Sequence, residues 1–265
     1  MIKITLKLRS FLRYNFLSFF GYFSRPRNGI HILNSHFVDL NYNPSRTVFL
    51  NFLKNLNKSY TFINFDEACK LIKIKSKAKK PFLAFSFDDG FKECFNIIAP
   101  CLEEYGIRAA FFINSFSINA SDIEKKDFLI KNLKVNYKKE FMSWSNIIDL
   151  HNRGHLIGNH TNNHIALKNL DNQKSYNEIY EGKKIIESKI LSSCDYFAFP
   201  FGSPIFFDEN GLKNALKLHK FIFTSGQYNY YFHNKNSNVF SRRHIEPNWP
   251  ISHINYFLCS QRNYK

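Results

Sequence analysis

With 265 residues, 44% hydrophobic and 22% charged, the chain is too apolar for a disordered segment and suffices for one large domain or two small ones. It has no apolar run of the ~18 residues a spanning helix needs, and ten Gly and eight Pro exclude collagen-like or linker-like composition; no fixed-period repeat points to a solenoid or propeller. The formal charge of +16 favours an acidic partner such as an anionic membrane or a phosphorylated substrate, and without a nucleic-acid-binding signature no nucleic acid is expected.

Residues 1–27 carry Lys3, Lys7, Arg9, Arg13, Arg25 and Arg27, and the first acid is Asp39. Leu12, Phe16, Phe19, Phe20 and Phe23 recur at helical spacing. The pattern fits a basic amphipathic helix on an anionic membrane, or a helix packed on the following domain. Ser18 and Gly21 interrupt the apolar run, which leads into Ser24-Arg25-Pro26-Arg27 rather than a small-residue cleavage site. An uncleaved N-terminal segment over 1–27 is therefore expected, followed by a domain over 28–265. Five scattered cysteines (Cys69, Cys94, Cys101, Cys194, Cys259) form no CxxC pair and read as buried fillers in a reducing compartment. That suggests a cytoplasmic protein, peripheral on the inner membrane.

Strands are expected at Ile30–Phe37 and Tyr60–Asn64, with helices at Pro44–Leu56 and Asp66–Ile72. Pro81–Phe87 (PFLAFSF) reads as a buried parallel strand running straight into Asp88-Asp89-Gly90. A helix over Phe91–Tyr105 stops at Gly106, and Arg108–Asn114 is the next strand. The rhythm continues with a helix at Ser143–Arg153, a strand at His155–Gly158, a helix at Ser175–Leu191 and a strand at Tyr196–Phe199. A helix at Asn210–Leu218 and strands at Phe221–Thr224 and Phe240–Ile245 complete it. Repeated β-α units predict a doubly wound sheet or a β/α barrel, with function at the C-terminal strand ends. Asp88-Asp89, the stretch from His160 to His164, and Pro200-Phe201-Gly202 all lie there.

His160 and His164, spaced i, i+4, would share one side of a helical turn and could hold a divalent metal. Adjacent acids at a strand end point to opposite sides, so one of Asp88 and Asp89 can bind a metal while the other accepts a proton. Two His and one carboxylate leave positions open for water and substrate, which implies metal-assisted hydrolysis of a carbonyl-type substrate. Zinc suits such ligands; cobalt, nickel or iron would fit the same set.

Three motifs carry a family resemblance. They are Ser86-Phe87-Asp88-Asp89-Gly90, then His160-Thr161-Asn162-Asn163-His164 preceded by GHLIGN, and Ala198-Phe199-Pro200-Phe201-Gly202. Ser143-Trp144-Ser145 resembles a further helix entry. Together they resemble the polysaccharide deacetylases of the NodB-homology class, carbohydrate esterase family 4, over roughly residues 28–260. The resemblance implies a distorted (β/α)7 TIM-like barrel as a single catalytic domain. It makes Asp88 the catalytic base, Asp89, His160 and His164 the ligands of one divalent metal, and the Phe201 N–H the oxyanion donor, with Pro200, Phe201 and Trp144 toward substrate. The family's motif arginine is replaced by Ala198, and its late general-acid histidine has no clear match. Arg242 or Arg243 is expected to replace the arginine, Arg243 being the catalytic candidate; His244 and, less so, His253 are candidates for the acid.

The expected function is metal-dependent removal of acetyl from an N-acetylated amino sugar, nucleotide- or lipid-linked, during assembly of capsule, O-antigen or a similar bacterial surface glycan. The alternatives are a deacetylase of finished polymer, such as poly-N-acetylglucosamine or peptidoglycan, and an inactive glycan-binding relative.

Overall fold

The computed structural model describes residues 2–39, 44–74, 76–135, 138–225, 227–228, 238–259 and 262–263. In chain order the elements are α1 (Ile2–Phe23), β1 (Gly29–Ser35), α2 (Arg46–Leu56), β2 (Thr61–Phe62), α3 (Phe65–Lys73), β3 (Pro81–Phe87), α4 (Ala99–Glu103) and β4 (Ala110–Ile113). There follow α5 (Ser115–Asn119), α6 (Asp122–Phe128), α7 (Trp144–Asn152), β5 (Leu156–Asn159), α8 (Asn172–Ile190) and β6 (Tyr196–Ala198). The rest are α9 (Glu209–Leu218), β7 (Phe221–Thr224), β8 (Gln227–Tyr228), β9 (Val239–Ser241), β10 (Arg243–His244), α10 (Ile251–Cys259) and β11 (Arg262–Asn263).

Local chemistry sets the helix starts. Ser121 and Ser143 open α6 and α7 with reciprocal capping boxes to Glu124 and Asn146. Asp171 caps α8 through Lys174 N and Asp208 caps α9 through Gly211 N. The Asp171 cap starts α8 three residues before the expected Ser175. The helix expected over Phe91–Tyr105 contains a π-turn at Cys94–Ile98 directly before α4. Pro100 lacks the N–H that the α-ladder needs, and its ring crowds the carbonyl four residues earlier, so the ladder widens there.

The sheet is parallel in the order β10-β1-β3-β4-β5-β6-β7-β9, with β2 added beside β3, while β8 and β11 form a small antiparallel pair. Its two edges come from one run of chain. Val239–Ser241 pairs with β7, and Arg243–His244 pairs with β1. Between them Arg242 N donates to Thr224 O (2.7 Å), and beyond them Ile245 N donates to Asn34 O (3.0 Å). This run nearly closes the sheet into a single-domain (β/α)7 barrel, with Arg242 at the seam.

Alternation along the strands sorts the core. Ile30, Ile32, Ala84, Ala110, Phe112, Ala198, Phe223 and Phe240 form one interior cluster, joined by Phe65, Ala68, Cys69 and Ile72 of α3. The intervening residues, among them Leu33, Leu83, Phe85, Phe111 and Ile157, pack in a second cluster with helix residues. Helix α3 lies across the N-terminal mouth. Phe65 N donates to Arg108 O, the Phe65 ring meets Tyr196, and Lys73 lies over Phe221. With that end plugged by apolar side chains, polar groups collect at the opposite, C-terminal end.

Candidate active site

Strand β3 delivers both acids. Asp88 N donates to Ser35 O (2.9 Å), and the chain then turns sharply, with positive φ at Asp89 (70°) and Gly90 (73°). Asp88 keeps the inward parity of Ala84 and Ser86. Its carboxylate lies in a bidentate fork, Arg242 Nη1 to Oδ1 at 2.7 Å and Nη2 to Oδ2 at 2.8 Å. Arg242 Nη1 also donates to Ser86 Oγ, which donates to Leu33 O, and the guanidinium stacks 4.8 Å from the Phe112 ring centroid. Both members of the pair are buried, Arg242 completely. Burial alone would push the Asp88 carboxyl up, but the Arg242 charge and His160 beside it hold it well below the usual carboxylate range.

Asp89 faces the histidines. Its Oδ1 lies 3.6 Å from His160 Nε2 and 3.5 Å from His164 Nε2, and the three ligating atoms are all within 4.8 Å of one another. His160 Nδ1 bonds Ala198 O at 2.8 Å. A carbonyl only accepts, so the proton sits on Nδ1 and the Nε2 lone pair faces Asp89. Burial lowers the pKa of both imidazoles, which keeps them in the neutral form that binds metal. Burial and the neighbouring Asp88 push the Asp89 carboxyl well up, and its Oδ1 is buried with no hydrogen-bond partner among the described residues. A lone buried carboxylate oxygen opposite two imidazole Nε2 atoms, the one on His160 presenting its lone pair, is costly without a cation. The donor set, two neutral nitrogens and one carboxylate, fits one divalent metal.

The stretch from His160 to His164 is not the helical turn expected from its spacing. Thr161 (φ 65°) and His164 (φ 48°) are left-handed, and the loop is held from α8. Glu178 accepts from Asn163 N and Asn163 Nδ2, Glu178 O accepts from Asn162 N, and Asn114 Nδ2 donates to His160 O. Gly182 lets this loop approach: a Cβ there would stand 2.5 Å from Asn159 Oδ1 and 3.1 Å from Asn162 N.

Phe201 (φ 61°) sits at the tip of the Pro200-Phe201-Gly202 turn, its ring centroid 4.6 Å from that of His164. Gly202 beneath it packs on Ser225, leaving no room for a side chain. The Phe201 N–H makes no hydrogen bond among the described residues. Trp144 donates from Nε1 to Asn119 Oδ1 and lies under Lys189, contacts that do not include the histidine–aspartate cluster.

Two expectations need correction. Arg242, not Arg243, meets Asp88. Successive residues of the closing run point to opposite sides, and Arg243 turns outward to Phe257, bonding its carbonyl (3.2 Å) and lying over its ring. His253 belongs to the contact of α1 with α10, where its Nε2 meets Ser18 Oγ at 2.9 Å. His244 does lie near the site, but its Nε2 is engaged by Glu246 Oε1 (2.9 Å).

The sequence reading missed His36. It follows the last residue of β1, with Nε2 3.9 Å from Asp89 Oδ2 and its ring centroid 5.3 Å from that of His244. Burial and the neighbouring His244 lower its pKa to about 3. A buried clamp fixes the segment after it. Glu93 accepts from Val38 N (2.8 Å) and from Lys139, whose ammonium also reaches Asp39 O and lies over Phe37. The available signal was a histidine at the end of the strand paired alongside β3.

Comparison with known proteins agrees with this geometry. The family profile for polysaccharide deacetylase matches residues 75–220, more than half of the chain. YxkH of Bacillus subtilis (strain 168), a curated protein assigned to the polysaccharide deacetylases, is 22% identical over 161 residues, covering 61% of this chain and 50% of that protein. The chain thus spans half the length of that relative. IcaB from Ammonifex degensii superposes with a TM-score of 0.71 at 17% identity, over 89% of this chain and 100% of that one. The Streptococcus pyogenes deacetylase PplD, solved in complex with acetate, gives 0.66 at 16% identity over 89% and 99%. At these identities the likeness to solved structures is one of fold.

Proposed function

Because the chain belongs to the polysaccharide deacetylase family, we propose that it is a metal-dependent hydrolase that removes the N-acetyl group from an N-acetylated amino sugar of a bacterial surface glycan or its precursor. The observation that carries this reading is the juxtaposition of two acids with different partners: Asp89 facing His160 and His164, and Asp88 ionised in the Arg242 fork. Pairs of titratable groups pushed apart by their surroundings are how one site divides ligand and base roles.

Asp89, His160 and His164 would hold a divalent cation, which when bound would supply Lewis acidity toward the acetyl carbonyl and lower the pKa of water toward neutrality. Asp88 accepts the proton as the water oxygen adds to the carbonyl carbon. The Phe201 N–H donates to the oxygen on which negative charge develops. The C–N bond then breaks; the sugar amine takes a proton, and acetate leaves. The proton that Asp88 took from water is the one available to the amine: His36, beside Asp89, is neutral with its pKa lowered to about 3, and the Nε2 of His244 is engaged by Glu246.

An arginine missing at Ala198 would favour an inactive glycan-binding relative; the buried Asp88–Arg242 pair supports the active reading instead. The five free cysteines, four of them buried, fit a reducing compartment and hence a nucleotide- or lipid-linked precursor rather than exported polymer.

Metal analysis and acetate release on the purified full chain test the proposal, with nucleotide-linked, lipid-linked and oligomeric N-acetylglucosamine as substrates. Stoichiometric divalent metal and acetate release that a chelator abolishes are expected. Metal without acetate from any substrate would sink the hydrolase reading. The ligand loop supplies a further prediction: Gly182→Leu should weaken metal affinity about 10–100-fold, the usual effect of losing outer support for ligands. Chelator competition reads this; unchanged affinity would mean that α8 does not hold the loop.

A further inference from the structure

Helix α1 docks on the barrel by its smaller side. Leu17 is buried, a Cβ at Gly21 would stand 1.9 Å from Ser252 O, and Ser18 and Tyr14 meet His253 of α10. The opposite side faces outward and is apolar. At about 100° per residue, Leu8, Leu12, Phe19 and Phe23 fall within ~60° of one another, flanked by Phe11, Phe16 and Tyr22. All seven are exposed, Phe11 by 64%, Phe19 by 62%, Tyr22 by 73% and Phe23 by 67%. This reverses the pattern of a helix on a water-soluble domain, whose outer face is polar. Contiguous exposed apolar surface of this kind marks an interaction site.

Charge identifies the partner. Arg9 and Arg13 are exposed on the border between the docked and outward sides, Arg25 is exposed just past the helix, and no acidic residue precedes Asp39. A two-fold contact between copies would set these arginines against their equivalents with no acid on either segment to offset them. An anionic lipid surface offers both an acyl boundary for the aromatic face and phosphates for the arginines. No helix among the described residues is long and apolar enough to cross a membrane, so contact of α1 with a bilayer would be interfacial. We propose that α1 is an interfacial anchor. It seats Leu8, Leu12, Phe19 and Phe23 in the acyl boundary of an anionic membrane and sets Arg9, Arg13 and Arg25 among the headgroup phosphates. This goes beyond the catalytic reading and does not depend on it.

Co-sedimentation of the full chain with vesicles of phosphatidylcholine and phosphatidylglycerol, against phosphatidylcholine alone, tests it at low and high salt. Wild type is expected to bind the mixed vesicles. The Leu12→Ser/Phe19→Ser/Phe23→Ser variant, altered only at exposed positions, should lose about tenfold or more. Arg9→Gln/Arg13→Gln should lose about fivefold per arginine at low salt and much less at high salt. An unchanged Tm in both variants shows that the fold is intact. Wild type that fails to bind, or serine and wild-type chains that bind equally, would overturn the proposal. So would a wild-type dimer that ignores vesicles and that the serine substitutions convert to monomer.

Discussion

Asp88→Asn is expected to keep its metal and to lose about 10²–10⁴-fold in acetate release, the range for general-base help. The metal should stay because Asp89, His160 and His164 are untouched and it is Asp89, beyond the turn, that faces the imidazoles. Turnover should fall because an amide of nearly the same shape cannot take a proton. Arg242 complicates the variant: one of its two N–H groups still donates to the amide oxygen, while the other faces an NH₂ that cannot accept, so half of the fork is lost. Turnover must therefore be compared at a temperature where both proteins are folded, with Tm measured alongside. Near-normal turnover with normal metal content would remove Asp88 from proton transfer and leave its pairing with Arg242 purely structural.

The parts of this site that were legible in the sequence are those set by neighbouring residues. The buried run PFLAFSF ending in two acids announces a strand end, and the β-α rhythm announces a barrel with its chemistry at that end. What escaped depends on pairings distant in sequence. The histidine loop has the left-handed residues Thr161 and His164 because Glu178 and Gly182, on the next long helix, hold it. Spacing alone suggested a helical turn. The choice between Arg242 and Arg243 is a question of parity: Phe240 is interior, so Arg242 is too, but only the closed sheet shows which face of that run is inward. His36 was lost to a boundary. Reading the first strand through Phe37 placed the histidine inside it, whereas the strand ends at Ser35 and releases His36 toward Asp89.

Arg242→Gln is expected to cost about 3–5 kcal/mol of stability at neutral pH, the usual effect of breaking a buried ion pair from one side. The pH dependence identifies the cause. In the wild type the Asp88 carboxyl is held below its unfolded value, so its contribution is complete above the usual carboxylate range and is lost only as pH falls through the depressed value. Without the guanidinium, burial becomes the governing influence on Asp88 and raises its pKa instead. The sign then reverses: the folded variant takes up a proton before the unfolded chain does, and its stability rises relative to wild type as pH falls. The deficit should therefore be largest near pH ~7 and shrink toward pH ~4 in urea unfolding followed across that range. A deficit independent of pH would assign the loss to packing of the guanidinium on Phe112 and Phe223 rather than to charge. The double variant Asp88→Asn/Arg242→Gln separates the two further. If charge governs, it should be more stable than the sum of the single losses, because neither partner is left buried as an unpaired ion.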